Sequence, residues 1–311
     1  NARSLGRSAA LRAARDRFYK GDIAREIVAF QRDTTVRDAN GFESSGLLTE
    51  EDFATFETRV EEPVTVNYRG YDVYKCGPWS QGPVFLQQLT LLEGFDLRAL
   101  PHNSADYIHL ITEASKLAFA DRERYYGDPE FVAVPLRGLL SKVYAAARRD
   151  LIDSRRASLE LRSGNPYPYE GSDHQPDLTP LRGRVGDAGT TGTRAVDAEG
   201  NMFSATPSGG WFYSSPVIPG LGFCLGTRCQ IFWLDPPDHP NALRPHKRPR
   251  TTLSPSLVMK GERLCMVFGT PGVDNQDQWT LQFFLNVVDF GMDVQDAIDA
   301  PAFHTTHFPS S

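Results

Sequence analysis

Apolar positions recur with helical spacing through the first part of the chain and alternate through the second. Ala9 to Phe18 and Gly21 to Gln31 read as two helices joined by Phe18-Tyr19-Lys20-Gly21. Thr49-Glu50-Glu51-Asp52 has the form of a capping box and should open a short helix. Val64 to Val73 alternates around Tyr68-Arg69-Gly70-Tyr71, which predicts a hairpin. A loop over Pro78-Trp79-Ser80-Gln81-Gly82-Pro83 leads into an apolar helix ending near Gly94. Ser104 can cap a longer helix, whose face Tyr107, Ile111, Ala114 and Ala118 recurs at spacings of four, three and four. That helix should run to about Tyr126 and stop before Gly127-Asp128-Pro129. Residues 163–189 hold Gly, Pro, Asp and Ser with few apolar side chains, and predict a long exposed loop where a chain can be cut.

After Thr190 strand pairs dominate: 192–197 with 202–207, then 255–260 with 263–268 around Lys260-Gly261. Asp274 to Phe290 reads as an amphipathic helix, and Val294 to Ile298 as a short one. Helices covering a sheet sandwich would satisfy both halves, so the fold class expected is α+β.

Composition narrows the classes. The 311 residues are 40% hydrophobic, enough for a substantial core. Formal charge is 33 − 39 = −6, no dense basic run appears, and short basic groups such as His246-Lys247-Arg248-Pro249-Arg250 are broken by proline, so nucleic acid is not an expected partner. No apolar run approaches the roughly 20 residues that span a bilayer, so no membrane partner is expected. Asn1 to Arg15 lacks the apolar core of a signal peptide. Cys76, Cys224, Cys229 and Cys265 are scattered without a CxxC spacing, which argues against a disulfide framework and for a reducing compartment.

Candidate chemistry centres on Gly186-Asp187-Ala188-Gly189-Thr190-Thr191-Gly192. A threonine hydroxyl needs a base beside it, and cutting the chain just before the threonine supplies one in the freed amine. The stretch reads as a chain that cuts itself at Gly189/Thr190 and then uses Thr190 as an N-terminal nucleophile. Thr190-Thr191 merely starting a strand is the bland alternative, since Thr34-Thr35, Thr251-Thr252 and Thr305-Thr306 are pairs too.

With these residues in hand the chain resembles the gamma-glutamyltranspeptidase family of N-terminal-nucleophile hydrolases. The resemblance is carried before the cut by Phe18-Tyr19-Lys20-Gly21, Gly46-Leu47-Leu48-Thr49, Tyr68-Arg69-Gly70-Tyr71, and Ala120-Asp121-Arg122 with Gly127-Asp128-Pro129. After the cut it is carried by Thr190-Thr191, Asp197 to Asn201, Lys247-Arg248-Pro249 with Ser254-Pro255, and Gly269-Thr270-Pro271-Gly272. It implies a four-layer αββα sandwich. Residues 1–189 would be the C-terminal part of the large-subunit region, and 190–311 the small-subunit region. The two would form one domain, shortened at both ends, with the cleaved subunits remaining associated and a further oligomer possible. An upstream arginine that holds the substrate carboxylate in the family falls outside the chain.

The resemblance also assigns roles. Thr190 would attack the Gly189 carbonyl in the precursor, and its released amine would then serve as base. Ser208 sits where the family has a threonine that steadies the nucleophile; the alternative is a turn serine. Gly272 and Val273 occupy the Gly-Gly oxyanion position, where each backbone N–H is typically worth roughly 3 kcal/mol of barrier. Val273 departs from that pattern, and a β-branched residue should resist φ > 0. Either the loop does not need that conformation or the hole is damaged. An ordinary turn at Gly269-Thr270-Pro271-Gly272 is the alternative. Thr251 and Thr252 replace a serine pair that contacts the substrate carboxylate; a strand start would also account for them.

Substrate-side positions differ more. The family's asparagine near the nucleophile becomes Gly210, and its Asn-Asn-Gln-x-Asp-Asp stretch becomes Gly226-Thr227-Arg228-Cys229-Gln230-Ile231. The acid that pairs with an α-ammonium is missing, and Gln230 and Ile231 cannot replace its charge. Arg228 arrives instead, and a guanidinium suits a carboxylate by two parallel hydrogen bonds; a surface arginine is the alternative. Pro207-Ser208-Gly209-Gly210-Trp211, Leu225-Gly226-Thr227-Arg228 and Phe303 to Pro309 resemble the oxamate amidohydrolase branch of purine-nitrogen breakdown, which implies release of oxalate and ammonia. His304 and His307 lack a third ligand, so neither metal nor cofactor is expected. Competing expectations are a glutathione hydrolase or γ-glutamyltransferase, a cephalosporin (glutaryl) acylase, and an inert family member. A ureide-pathway role points to the cytoplasm, with periplasmic or secreted location left open.

Overall fold

A computed structural model of the chain describes residues 4, 6–38, 40–178, 190–209 and 215–307. It is α+β and divides into two compact units.

One unit comprises the described residues of Asn1–Glu61 with Ser215–Leu225. Helices α1 (Arg7–Tyr19) and α2 (Asp22–Asp33) meet at Gly21, where a Cβ would lie 2.6 Å from the Arg17 carbonyl, so the tight join requires glycine. A short ribbon, β1 (Val36–Arg37) with β2 (Glu43–Ser44), follows. Helix α3 (Glu50–Thr55) starts in the expected capping box. The Asp52 N–H donates to Thr49 Oγ1 at 3.3 Å and the Thr49 N–H to Asp52 Oδ2 at 2.7 Å.

The other unit, Glu62–Ser214 with Gly226–Ser311, holds the main core. Strands β3 (Val64–Tyr68) and β4 (Tyr71–Lys75) form the expected hairpin. Arg69 and Gly70 at its tip both have positive φ, 49° and 86°, as a two-residue turn of matching twist requires. Helices α4 (Gly82–Leu92), α5 (Ala105–Tyr125), α6 (Leu136–Leu139) and α7 (Lys142–Arg149) come next. Strand β5 (Thr193–Val196) pairs with β6 (Met202–Ala205). Strands β7 (Ser256–Lys260) and β8 (Arg263–Phe268) extend the first hairpin into the antiparallel order β3-β4-β7-β8. Helices α8 (Gln276–Val288) and α9 (Val294–Asp299) end the described fold. Phe284 of α8 sits with its ring 5.9 Å from Phe85 of α4, 5.9 Å from Tyr68 of β3 and 6.1 Å from Phe268 of β8. That aromatic cluster locks both helices onto one face of the sheet.

Two expectations need correction. The helix expected from Asp274 begins at Gln276, after a 3₁₀ turn over Val273–Asn275, and it has little solvent face. Its polar positions are buried, and three of them reach partners on other segments. Asp277 bonds Lys75 Nζ at 3.1 Å, Gln278 Nε2 donates to the Thr305 carbonyl at 3.1 Å, and Gln282 Nε2 to that of Phe303 at 2.7 Å. The loop expected to be exposed from residue 163 is instead pinned at its start. Gly164 donates to Asp121 Oδ1 at 2.8 Å and accepts from Tyr125 Oη at 2.5 Å. Exposure prevails over residues 171–178, and residues 179–189 of the expected loop lie outside the described residues.

Candidate active site

Thr190 lies on the same register as the β5–β6 ribbon. Thr193 faces Ala205 and Val196 faces Met202, while Thr190 bridges to Ser208. The Thr191 N–H donates to the Pro207 carbonyl at 3.0 Å, so the pairing continues through the gap. At the far end the turn is built by Asp197, whose carboxylate accepts from the Asn201 N–H at 2.8 Å and Nδ2 at 2.7 Å, while Gly200 takes φ = 84°. A tight turn and a continuous ladder therefore fix where Thr190 and Ser208 sit. Their hydroxyl oxygens are 2.8 Å apart, and both residues are half-buried.

Beyond Ser208 the chain meets a second segment at close range. A Cβ on Gly209 would lie 3.1 Å from Gly226 Cα, and the Gly209 carbonyl accepts from the Thr227 N–H at 3.0 Å. This contact brings the 3₁₀ turn Arg228–Ile231 to the Ser208 end of the site. Nε and Nη2 of Arg228 are shielded from water and unpartnered, and burial pushes the guanidinium below its ordinary pKa. Gln230 is exposed and closes the 3₁₀ turn through its own N–H to Thr227 O, at 3.1 Å. Thr251 and Thr252 are buried, with the Thr251 N–H donating to the Trp79 carbonyl at 2.8 Å, and neither hydroxyl has a partner. Gly189 and Gly210 lie outside the described residues.

Val273 has φ = 51°, next to Gly272 at φ = 128°. The expectation that a β-branched residue would avoid this region is overturned. The cause is the clamp that follows it. Asp274 is buried and forms a close ion pair with Arg122 of α5, whose Nη2 also donates to Asp274 Oδ2 at 3.3 Å. Gly272 is pressed against Trp279, where a Cβ would meet the ring at 2.5 Å, and its carbonyl accepts from the Asn275 N–H at 2.8 Å. Such surroundings over-determine the backbone and hold it in a costly conformation.

Arg122 belongs to a buried network. It pairs with Glu123 at 2.6 Å, and Arg250 Nη2 reaches both Glu123 oxygens at 3.0 Å. Burial works against the Arg122 charge, but Asp274 and Glu123 overcome it and raise its pKa. His239 accepts from the Asn241 N–H at Nδ1, 3.0 Å, which leaves Nε2 as the donor to the Glu123 carbonyl at 3.1 Å. Burial and the neighbouring Arg250 push this imidazole down to about 3, so it is neutral.

Three residues carry more than their sequence context announced. Arg122 and Asp274 hold the Gly272-Val273 loop. Arg194 of β5 lies between two loops: a Cβ on Gly192 would land on its Nη1, and one on Gly269 on its Nη2. Gly192, two residues after Thr190, and Gly269 were the available signal. His304 stands edge-on to Trp279 and His307 bonds the Leu159 carbonyl at 3.0 Å, and both histidines are exposed. Among the described residues no cluster of His, Cys, Asp or Glu could hold a metal, the four cysteines are unpaired, and no helix is long and apolar enough to cross a membrane.

Comparison with known proteins places this geometry. The model of the gamma-glutamyltranspeptidase family matches residues 3–311. A glutathione hydrolase proenzyme from Pseudomonas sp. (strain A14) is 35% identical over 309 residues, covering 95% of this chain and 49% of that protein. The solved structure of LmbA2991HD has a TM-score of 0.85 at 45% identity, over 98% of this chain and 53% of the other. A crystal structure of cephalosporin acylase from Bacillus halodurans gives 0.73 at 30% identity, over 94% and 47%. The chain spans about half the length of the curated relatives it matches. With the family model matched over nearly its whole length, the chain belongs to the gamma-glutamyltranspeptidase family.

Proposed function

We propose that this chain is the catalytic portion of an autoprocessed N-terminal-threonine amidohydrolase that cleaves a small carboxylate-bearing amide, oxamate being favoured. The observation that carries the chemistry is the 2.8 Å contact between Thr190 Oγ1 and Ser208 Oγ. In maturation the Thr190 hydroxyl attacks the Gly189 carbonyl, the acyl group moves from nitrogen to oxygen and so frees the Thr190 amine, and water hydrolyses the ester to restore the hydroxyl and leave Gly189 as a carboxylate. That amine then takes the Thr190 hydroxyl proton as the oxygen attacks the substrate amide. Backbone N–H groups at Gly272 and Val273 receive the negative oxygen of the tetrahedral intermediate. The proton passes to the leaving nitrogen, ammonia departs, and water hydrolyses the acyl ester to oxalate. The four-layer αββα arrangement, the subunit boundary at Gly189/Thr190 and a cytoplasmic setting belong to the same proposal.

Substrate class rests on charge. Nε and Nη2 of Arg228 are shielded and unpartnered, and Gln230 and Ile231 bring no acid to pair with an α-ammonium. An unpaired ammonium in such a site would cost several kcal/mol, whereas a carboxylate satisfies the arginine. Thr251 and Thr252 offer two free hydroxyls as further donors. The second reading, a glutathione hydrolase, γ-glutamyltransferase or cephalosporin acylase, is favoured by the names of its relatives. Ammonia release from oxamate, set against anilide release from a γ-glutamyl anilide, decides between them. Oxamate turnover is the expected outcome, and cleavage of the anilide alone would overturn the substrate assignment.

A further inference from the structure

Because the ladder keeps one register from Thr190 to Val196, alternation puts Thr190, Gly192 and Arg194 on one face, opposite Ser208, Thr206 and Ser204. The first pair carries the bonded hydroxyls. The second has no side chain on Gly192 and, across from it, a buried Thr206 whose hydroxyl has no partner. The third brings Arg194. Its guanidinium bends back along the strand and settles over Gly192, wedged from the other side by Gly269. Nε and Nη2 are shielded from water and unpartnered, and burial without a counter-charge pushes the group below its ordinary pKa. An unmatched cation is costly to keep shielded, and it becomes favourable when an anion arrives.

We propose that Arg194, seated on Gly192 and assisted by the Thr206 hydroxyl, receives the carboxylate of the acyl group while Thr190 attacks its amide carbon. This rests on the carboxylate-amide reading above and adds a length rule to it. Same-face positions on a strand are about 7 Å apart, so a guanidinium over Gly192 is one such step from Thr190. Subtracting a charge-assisted hydrogen bond of about 2.8 Å leaves room for a carboxylate one or two carbons from the scissile carbonyl. The substrate class is therefore the monoamides of short dicarboxylic acids, and a glutaryl or γ-glutamyl chain overshoots the seat. A carboxylate has acceptor sites for more than one arginine, so Arg194 adds to Arg228 instead of replacing it.

The test measures binding of oxalate, malonate, succinate and glutarate by titration calorimetry to the full-length, self-processed protein and its Arg194→Ala, Arg194→Lys, Thr206→Val and Gly192→Ala variants. Wild type should bind the short diacids and discriminate against glutarate by at least tenfold. Arg194→Ala should lose tenfold or more for oxalate and malonate, and Arg194→Lys should recover part of it. Thr206→Val should lose a few-fold. Gly192→Ala, which fills the seat and displaces only the flexible end of a side chain, should mimic Arg194→Ala while keeping the melting temperature. If Arg194→Ala fails to fold, Gly192→Ala and Thr206→Val carry the test. Variants that bind the short diacids within twofold of wild type would overturn the Arg194 assignment and leave the carboxylate-amide reading standing. A wild-type protein that binds no diacid and cleaves only γ-glutamyl anilide would overturn both.

Discussion

Val273 holds φ = 51° although its branched Cβ crowds the left-handed region. Such a residue typically stores about 1–3 kcal/mol of strain. Val273→Gly should relieve it, at the expense of a floppier unfolded chain, for a net gain of about 1 kcal/mol. Thermal unfolding checks this: a higher Tm is expected, and a lower one would mean that packing of the valine outweighs its backbone strain. The valine's identity was legible in the sequence as a departure from the family pattern. Its conformation was not, because the force that imposes it comes from Arg122, distant in sequence, acting on Asp274.

At the scale of elements, the Gly269–Asn275 segment is tied to helix α5 by the Arg122–Asp274 pair and to β5 by the Arg194 guanidinium. Removing one partner of a buried ion pair typically costs about 3–5 kcal/mol. Asp274→Asn should therefore lower stability by that order. It should also reduce kcat more than it raises KM if, as proposed, the loop's N–H groups act on the transition state. Chemical denaturation and steady-state kinetics test the two effects separately, and a change confined to KM would contradict the positioning role. Much of the element pattern could be read from periodicity, including the hairpin at Arg69-Gly70 and the capping box at Thr49. Helix α8 reads as amphipathic in the sequence because Asp277, Gln278 and Gln282 resemble a solvent face, whereas in the fold they are buried against partners. Arg194 carries no sequence signal for the same reason, since an arginine on a strand ordinarily points to water.

Across the whole molecule, buried charge links α5, the Gly272-Val273 loop and the segment from His239 to Arg250. His239 is neutral in that network, with its pKa pushed down to about 3, against an ordinary value near 6.5. The unfolded chain therefore binds a proton that the folded one does not, between those two values. Stability from this group is fully present above about pH 6.5 and declines as pH falls toward 3, by at most about 1.4 kcal/mol per pH unit. Denaturant midpoints should show that slope in wild type and a shallower one in His239→Asn; equal slopes would contradict it. None of this coupling was visible in the sequence, where His239 stands in a proline-rich loop far from Glu123. The proposed nucleophile is legible in the sequence, since Thr190 announces itself through a local pattern, while its neighbours depend on strand register and on glycine-to-glycine contact.

The central claim is that Thr190 cuts the chain and then serves as its nucleophile. Intact-mass analysis of the purified full-length protein, beside its Thr190→Ala variant, tests this most directly. The expected result is two wild-type fragments, the second beginning at Thr190, and one uncut Thr190→Ala chain. Wild-type protein that stays uncut, or a variant that is cut identically, would contradict it.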